Sequence, residues 1–200
     1  MPLLPYLEAD RVEAGCDEVG RGCLAGPVVA AAVILPTDYH NPWINDSKKL
    51  KKSNREELIE EIKYKSIAWA IGEASVAEID QINILNASFL AMERAIGQLK
   101  IQPDHLLIDG NRWKSNLDID YTCVIKGDGK LTSIAAASIL AKVYRDRLME
   151  DLAEEFPHYG WERNVGYPTP AHRQGIQQYG KTIWHRSSFR LLPKQLDLDL

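Results

Sequence analysis

An α/β domain is predicted, built on a mixed sheet that begins antiparallel, continues with parallel strands and is flanked by helices. Three observations predict it. A glycine-broken pair of extended segments occupies residues 11–35, two later strand-like runs (105–108 and 121–125) each end near an Asp beside a Gly, and helical periodicity marks residues 76–99 and 131–156. With 200 residues, 45% hydrophobic and 26% charged, the chain has apolar material for one compact core. We therefore expect a single domain over residues 1–200, with a small helical C-terminal region at 157–193 and a tail at 194–200.

The opening pair reads as a hairpin joined by a tight glycine turn around Gly20, Gly22 and Gly26. Its second half, residues 28–35, is apolar throughout, as in a strand covered on both faces. Residues 46–65 read as a helix that Asp46 or Ser47 can cap, with Ser53 able to open a further turn and Leu58, Ile59 and Ile62 as its apolar stripe. Residues 67–75 are strand-like. The helix at 76–99 carries Ile79, Ile82, Leu85, Leu90 and Ile96 on related faces, and Pro103 closes it. In the helix at 131–156, Ala135, Ala136, Ala137 and Ala141 allow close approach to a sheet. Residues 157–170 look irregular, and a basic segment at 172–190 precedes the acidic tail.

No apolar run approaches the ~20 residues that a bilayer span needs, and residues 1–10 carry no basic stretch of the kind that opens a secretory signal, so a cytoplasmic protein with no membrane partner is expected. Cys16, Cys23 and Cys123 form an odd set without a CxxC pair, which favours neither a disulfide framework nor a zinc site. The five histidines lack paired-ligand spacing and are assigned to no metal. The net charge of -4 argues weakly against a nucleic-acid partner, although local distribution matters more than the total.

Four carboxylates stand out by position: Asp17 and Glu18 in an apolar strand context, Asp109 at a strand end and Asp128 just after another. Ends of neighbouring strands in an open sheet meet in a crevice, where crowded carboxylates repel unless cations lie between them. Oxygen ligands suit hard divalent ions, and two such ions can clamp an in-line phosphoryl displacement, so metal-assisted phosphodiester hydrolysis is the predicted chemistry. Against this, an Asp beside a Gly is often a plain turn residue. Adjacent strand residues also face opposite ways, so Asp17 and Glu18 share a cleft only if the strand is distorted or Glu18 reaches it from the edge.

The run Gly15-Cys16-Asp17-Glu18-Val19-Gly20-Arg21-Gly22, followed by Gly26-Pro27-Val28, resembles the opening signature of ribonuclease HII. The likeness continues in Asn45-Asp46-Ser47-Lys48-Lys49-Leu50, Leu107-Ile108-Asp109-Gly110-Asn111, Lys126-Gly127-Asp128, residues 133–147 and Gly166-Tyr167-Pro168-Thr169, and so spans nearly the whole chain. It implies a ribonuclease H-like fold in which Asp17, Glu18, Asp109 and Asp128 hold two Mg²⁺ or Mn²⁺ ions. It further implies cleavage 5′ to a ribonucleotide, in RNA/DNA hybrids and in duplex DNA with a single embedded ribonucleotide, leaving a 3′-hydroxyl and a 5′-phosphate. A 2′-hydroxyl both donates and accepts, and Gly20 and Gly22 flank Arg21 without side-chain bulk, so this backbone can approach a sugar; family resemblance assigns it that role and places Tyr167 against the neighbouring deoxyribose.

Ser47 and Lys48 stand at a predicted helix start, where free amides favour a phosphate. Lys181, His185, Arg186 and Arg190, interleaved with Trp184 and Phe189, offer a second backbone-tracking patch. Asp146, between Arg145 and Arg147, reads as an ion-pair partner rather than a ligand. The tail, Gln195-Leu196-Asp197-Leu198-Asp199-Leu200, resembles the short peptides by which bacterial replication proteins hold a sliding clamp, and a frayed end is its plain alternative. A monomer is expected. A resolvase, integrase or DNA-specific nuclease with the same two-metal cleft, and a nonenzymatic hybrid-binding module, remain as alternative readings.

Overall fold

The computed structural model describes residues 3–44, 47 and 50–192. Its five-stranded sheet runs β3-β2-β1-β4-β5, where β1 is Glu13–Val19, β2 Val28–Ile34, β3 Ala68–Ala74, β4 His105–Asp109 and β5 Asp120–Val124. The first three strands pair antiparallel, while β1–β4 and β4–β5 are parallel, as the sequence predicts. Both faces are covered. One carries α2 (Val76–Gly97), and the other carries α1 (Lys52–Lys65) and α3 (Thr132–Glu155). β2 shows why its sequence lacks polar alternation: Val28, Ala30 and Ala32 join the α2 side of the core, while Val29, Ala31 and Val33 join the α1/α3 side.

The start of α3 lies unusually close to the sheet. A Cβ on Gly15 would fall 2.3 Å from the Ser133 carbonyl carbon, so only glycine lets the helix backbone rest on β1 here. That contact brings Ser138 over the strand position occupied by Asp17.

Four expectations need correction. Residues 20–27 form a loop rather than a tight turn, because they are drawn over the end of the sheet by hydrogen bonds to Arg145 and Arg186. α1 opens only at Lys52, after an N-cap at Lys51 that makes no side-chain cap bond; Ser47 is held upstream, where Arg55 Nη1 donates to its carbonyl (3.0 Å), and Asp46 lies outside the described residues. α2 is broken at Asn83 (φ 66°), whose Oδ1 accepts the amides of Leu85 (3.0 Å) and Asn86 (3.2 Å) and recaps the helix. The stretch judged irregular contains a 3₁₀ turn (Pro157–Tyr159) and α4 (Trp161–Asn164), followed by α5 (Pro170–Tyr179).

The expected C-terminal basic patch is also partly overturned. Lys181 and Arg190 are exposed, but His185 and Arg186 are buried beneath the loop at 20–27. Asp146 behaves as expected, pairing with Lys142 (2.7 Å) and Arg55 (3.6 Å). Among the described residues, no helix is long and apolar enough to cross a membrane.

Candidate active site

Register brings the carboxylates together. In the parallel β1–β4 ladder Cys16 lies opposite Ile108, so Asp17 and Asp109 follow one step further along, at the ends of adjacent central strands. Asp17 shares the α3 face of β1 with Gly15, whereas Glu18 shares the α2 face with Cys16. Both still reach one site, since β1 ends at Val19 and Glu18 leans round the strand end into a cleft of about 240 Å³ that Asp109 also lines. A larger cavity of about 940 Å³, between α1, α3 and the free edge of β3, lies away from these carboxylates.

Electrostatics report the crowding. Burial first, then repulsion from Glu18 and Asp109, hold the Asp17 carboxyl well above the usual carboxylate range. Burial raises Glu18 as well, opposed by Arg21, whose Nη1 donates to Glu18 Oε1 at 3.0 Å. Asp17 Oδ1 accepts the Glu18 amide (2.7 Å), and Asp109 Oδ1 accepts the Gly127 amide (2.7 Å), which ties β4 to the 3₁₀ turn Gly127–Gly129. Asp128 is buried in that turn. Among the described residues, no three His, Cys, Asp or Glu side chains already stand as a ready metal-ligand set. The donor chemistry nonetheless suits a hard cation: the groups are oxygen donors, and burial followed by repulsion from Glu18 and Asp109 penalises the Asp17 charge that a cation would neutralise.

The expected sugar readers lie beside this cluster. Gly22 adjoins Tyr167, since a Cβ on that glycine would fall 3.8 Å from the Tyr167 ring, and Tyr167 is 37% exposed. Gly20 has φ +93°, a conformation that L side chains rarely adopt. The expected phosphate contact at Ser47 meets a hydroxyl that is buried and lies 2.9 Å from Ser138 Oγ, and Ser138 in turn hydrogen-bonds Asp17. Lys48 lies outside the described residues.

Sequence reasoning missed several participants. Ser138 falls within residues 133–147, yet nothing in its spacing marks it as an Asp17 partner. Leu85, Ser88, Phe89 and Met92 of α2 line the cleft next to Glu18 and Asp109, because the break at Asn83 redirects the helix; Asn is tolerant of positive φ, which is the faint signal the sequence offers.

A mixed sheet sandwiched by helices, with carboxylates gathered at the ends of its central strands, defines a nuclease of the ribonuclease H kind. The ribonuclease H2 crystal structure from Pyrococcus horikoshii OT3 superposes with a TM-score of 0.75 at 25% identity, covering 90% of this chain and 94% of that one. The PCNA:RNase HII complex from Archaeoglobus fulgidus gives 0.73 at 27% identity, covering 93% and 98%. The family model for Ribonuclease HII matches residues 14–192. A Ribonuclease HII from Parabacteroides distasonis (strain ATCC 8503) is 61% identical over 196 residues, 98% of each chain. This chain belongs to the ribonuclease HII family and is a ribonuclease H, a nuclease that acts on RNA paired with DNA. That membership decides against the resolvase and nonenzymatic readings.

Proposed function

We propose that this ribonuclease H cuts on the 5′ side of a ribonucleotide, in RNA/DNA hybrids and at single ribonucleotides embedded in duplex DNA, leaving a 3′-hydroxyl and a 5′-phosphate. The carrying observation is the convergence of Asp17, Glu18 and Asp109, with Gly20, Arg21, Gly22 and Tyr167 arrayed beside them. Asp17, Glu18, Asp109 and Asp128 would hold two Mg²⁺ or Mn²⁺ ions. Bound there, such ions supply an activated water and stabilise charge developing on the phosphate.

The protein's own groups arrange the rest. Ser138 and the Glu18 amide fix Asp17, and the Gly127 amide fixes Asp109, so neither carboxylate is free to swing away from the strand ends. Backbone at Gly20–Gly22 reads the 2′-hydroxyl, where an approaching sugar meets no side chain at the exposed Gly22. The Tyr167 ring supports the deoxyribose that follows, and so registers the RNA-to-DNA step. Ser47, through Ser138, holds Asp17, while Lys48 and the C-terminal region 157–193 engage phosphates.

A labelled DNA duplex carrying one ribonucleotide, incubated with Mg²⁺ and then with EDTA, tests this reading. Cleavage at the ribonucleotide that EDTA abolishes and Asp109→Asn removes is expected. Equal cleavage of an all-DNA duplex, or normal activity of that variant, overturns it. We further propose that the enzyme acts as a cytoplasmic monomer and that residues 195–200, outside those described, hold a sliding clamp; the Archaeoglobus ribonuclease HII was solved with PCNA. Clamp binding that survives deletion of the last six residues ends that idea.

A further inference from the structure

Two arginines are fully buried, Arg145 on α3 and Arg186 in the segment after α5, and neither pairs with a carboxylate among the described residues. A charge so placed is costly unless its donors are satisfied. Theirs are satisfied by backbone carbonyls alone. Arg145 donates to Pro27 O (2.9 Å), Ala25 O (2.9 Å) and Val165 O (2.8 Å), and Arg186 donates to Gly26 O (3.0 Å), Arg21 O (3.0 Å) and Pro27 O (3.2 Å). Pro27 O is shared, so both forks hold the same stretch of the loop at 20–27.

The segment carrying Arg186 is itself stitched to that loop. Arg186 N donates to Leu24 O (2.9 Å), Gly26 N donates to Trp184 O (2.9 Å), and Leu24 N donates to Gly166 O (2.7 Å), beside Tyr167. Its far side is anchored on α2, where Asp80 accepts the amides of Ser187 and Ser188, both at 2.9 Å. The absence of a side chain at Gly20 is part of the same construction, because a Cβ there would lie 2.2 Å from Arg145 Nε.

One consequence bears on recognition. In a trans peptide the C=O and the following N–H point opposite ways. Since Arg186 draws the Arg21 carbonyl inward, the Gly22 N–H is turned outward, at an exposed residue next to Tyr167.

We propose that Arg145 and Arg186 are positioning residues that set ribonucleotide discrimination by holding the Gly20–Gly22 backbone and Tyr167 in one fixed arrangement. This rests on the reading that these groups sense the ribose. Lysine retains the charge but loses the planar fork. Arg186→Lys should therefore raise KM for a duplex with one embedded ribonucleotide by about tenfold, the equivalent of one lost charge-assisted hydrogen bond. On a long RNA tract, which offers many registers, KM should change less than about threefold.

The comparison variant is Leu58→Ala on α1, remote from the loop, assayed well below the Tm of every protein used. It should lower Tm yet leave the ratio between the two substrates unchanged. Asp80→Ala, which frees the anchor while leaving the Arg186 fork itself in place, should shift the ratio in the same direction as Arg186→Lys, and it decides the matter if the lysine variant does not fold. An unchanged ratio in the folded Arg186→Lys protein, or in Asp80→Ala when that variant stands in for it, overturns the clamp. Failure of the unaltered enzyme to prefer a ribonucleotide-bearing duplex over all-DNA overturns the reading beneath it instead.

Discussion

Lowering the pH should weaken the fold through a buried histidine knot. His185 is 2% exposed, and its Nδ1 accepts the Thr182 amide at 2.9 Å, so its proton resides on Nε2, 3.1 Å from His172 Nε2. His172 Nε2 also accepts Trp161 Nε1–H (3.0 Å), while its Nδ1–H donates to Tyr167 O (2.9 Å). Both rings are neutral in this network, and a proton added to either sets two donors face to face. Burial, and next the neighbouring His172, pull His185 from 6.5 down to about 4. Above pH 6.5 folded and unfolded forms are both neutral there, and nothing changes. As the pH falls from 6.5 towards 4 the unfolded chain takes up a proton that the folded chain refuses, so stability is lost at ~1.4 kcal/mol per pH unit. Two pH units give about 2.7 kcal/mol, and residual solvent screening reduces this to about 2 kcal/mol. Urea unfolding of the wild type and His185→Asn between pH 8 and 4.5 measures it, because the carboxylates common to both proteins cancel. Asn can still accept the Thr182 amide but does not titrate. It should be the less stable protein at pH 8, where it lacks the ring contacts with Tyr159 (4.8 Å) and Trp161 (5.4 Å), and the gap should narrow by about 2 kcal/mol at pH 4.5. A gap that stays constant refutes the neutral network.

Asp17→Asn should abolish cleavage while raising stability at pH 8 by about 1 kcal/mol, since it removes a buried charge that Glu18 and Asp109 repel; a loss of stability on urea unfolding counts against that repulsion. Gly15→Ala should cost about 2–3 kcal/mol, because α3 must retreat by about 1 Å, and activity should fall with it as Ser138 leaves Asp17; unchanged thermal unfolding would show that the close approach is not needed. Tyr167→Ala should impair cleavage at a single embedded ribonucleotide more than cleavage of a long RNA tract, and equal losses in a kinetic comparison argue against the junction role.

Elements with strong periodicity or continuous apolar runs were legible from the sequence: β2, both long helices and the switch from antiparallel to parallel pairing all follow from local pattern. So did Asp17, Glu18 and Asp109, whose strand-end positions needed only correct pairing to converge. What escaped is nonlocal. Arg186 reads as a surface cation because arginine mostly is one, and its burial is decided by carbonyls contributed from the loop at 20–27. The hydroxyl of Ser47 faces Ser138 for a similar reason, its partner lying on a distant helix. The break at Asn83 escaped because hydrophobic spacing continues across it.

The arginine fork joins residues 160 positions apart, from Gly26 to Arg186, and that separation orders events during synthesis. Strands bearing the acidic groups leave the ribosome well before the segment that pins the loop at 20–27. A chain interrupted late in translation would therefore carry its carboxylates beside a loop still lacking the Arg186 contacts that draw it over the end of the sheet.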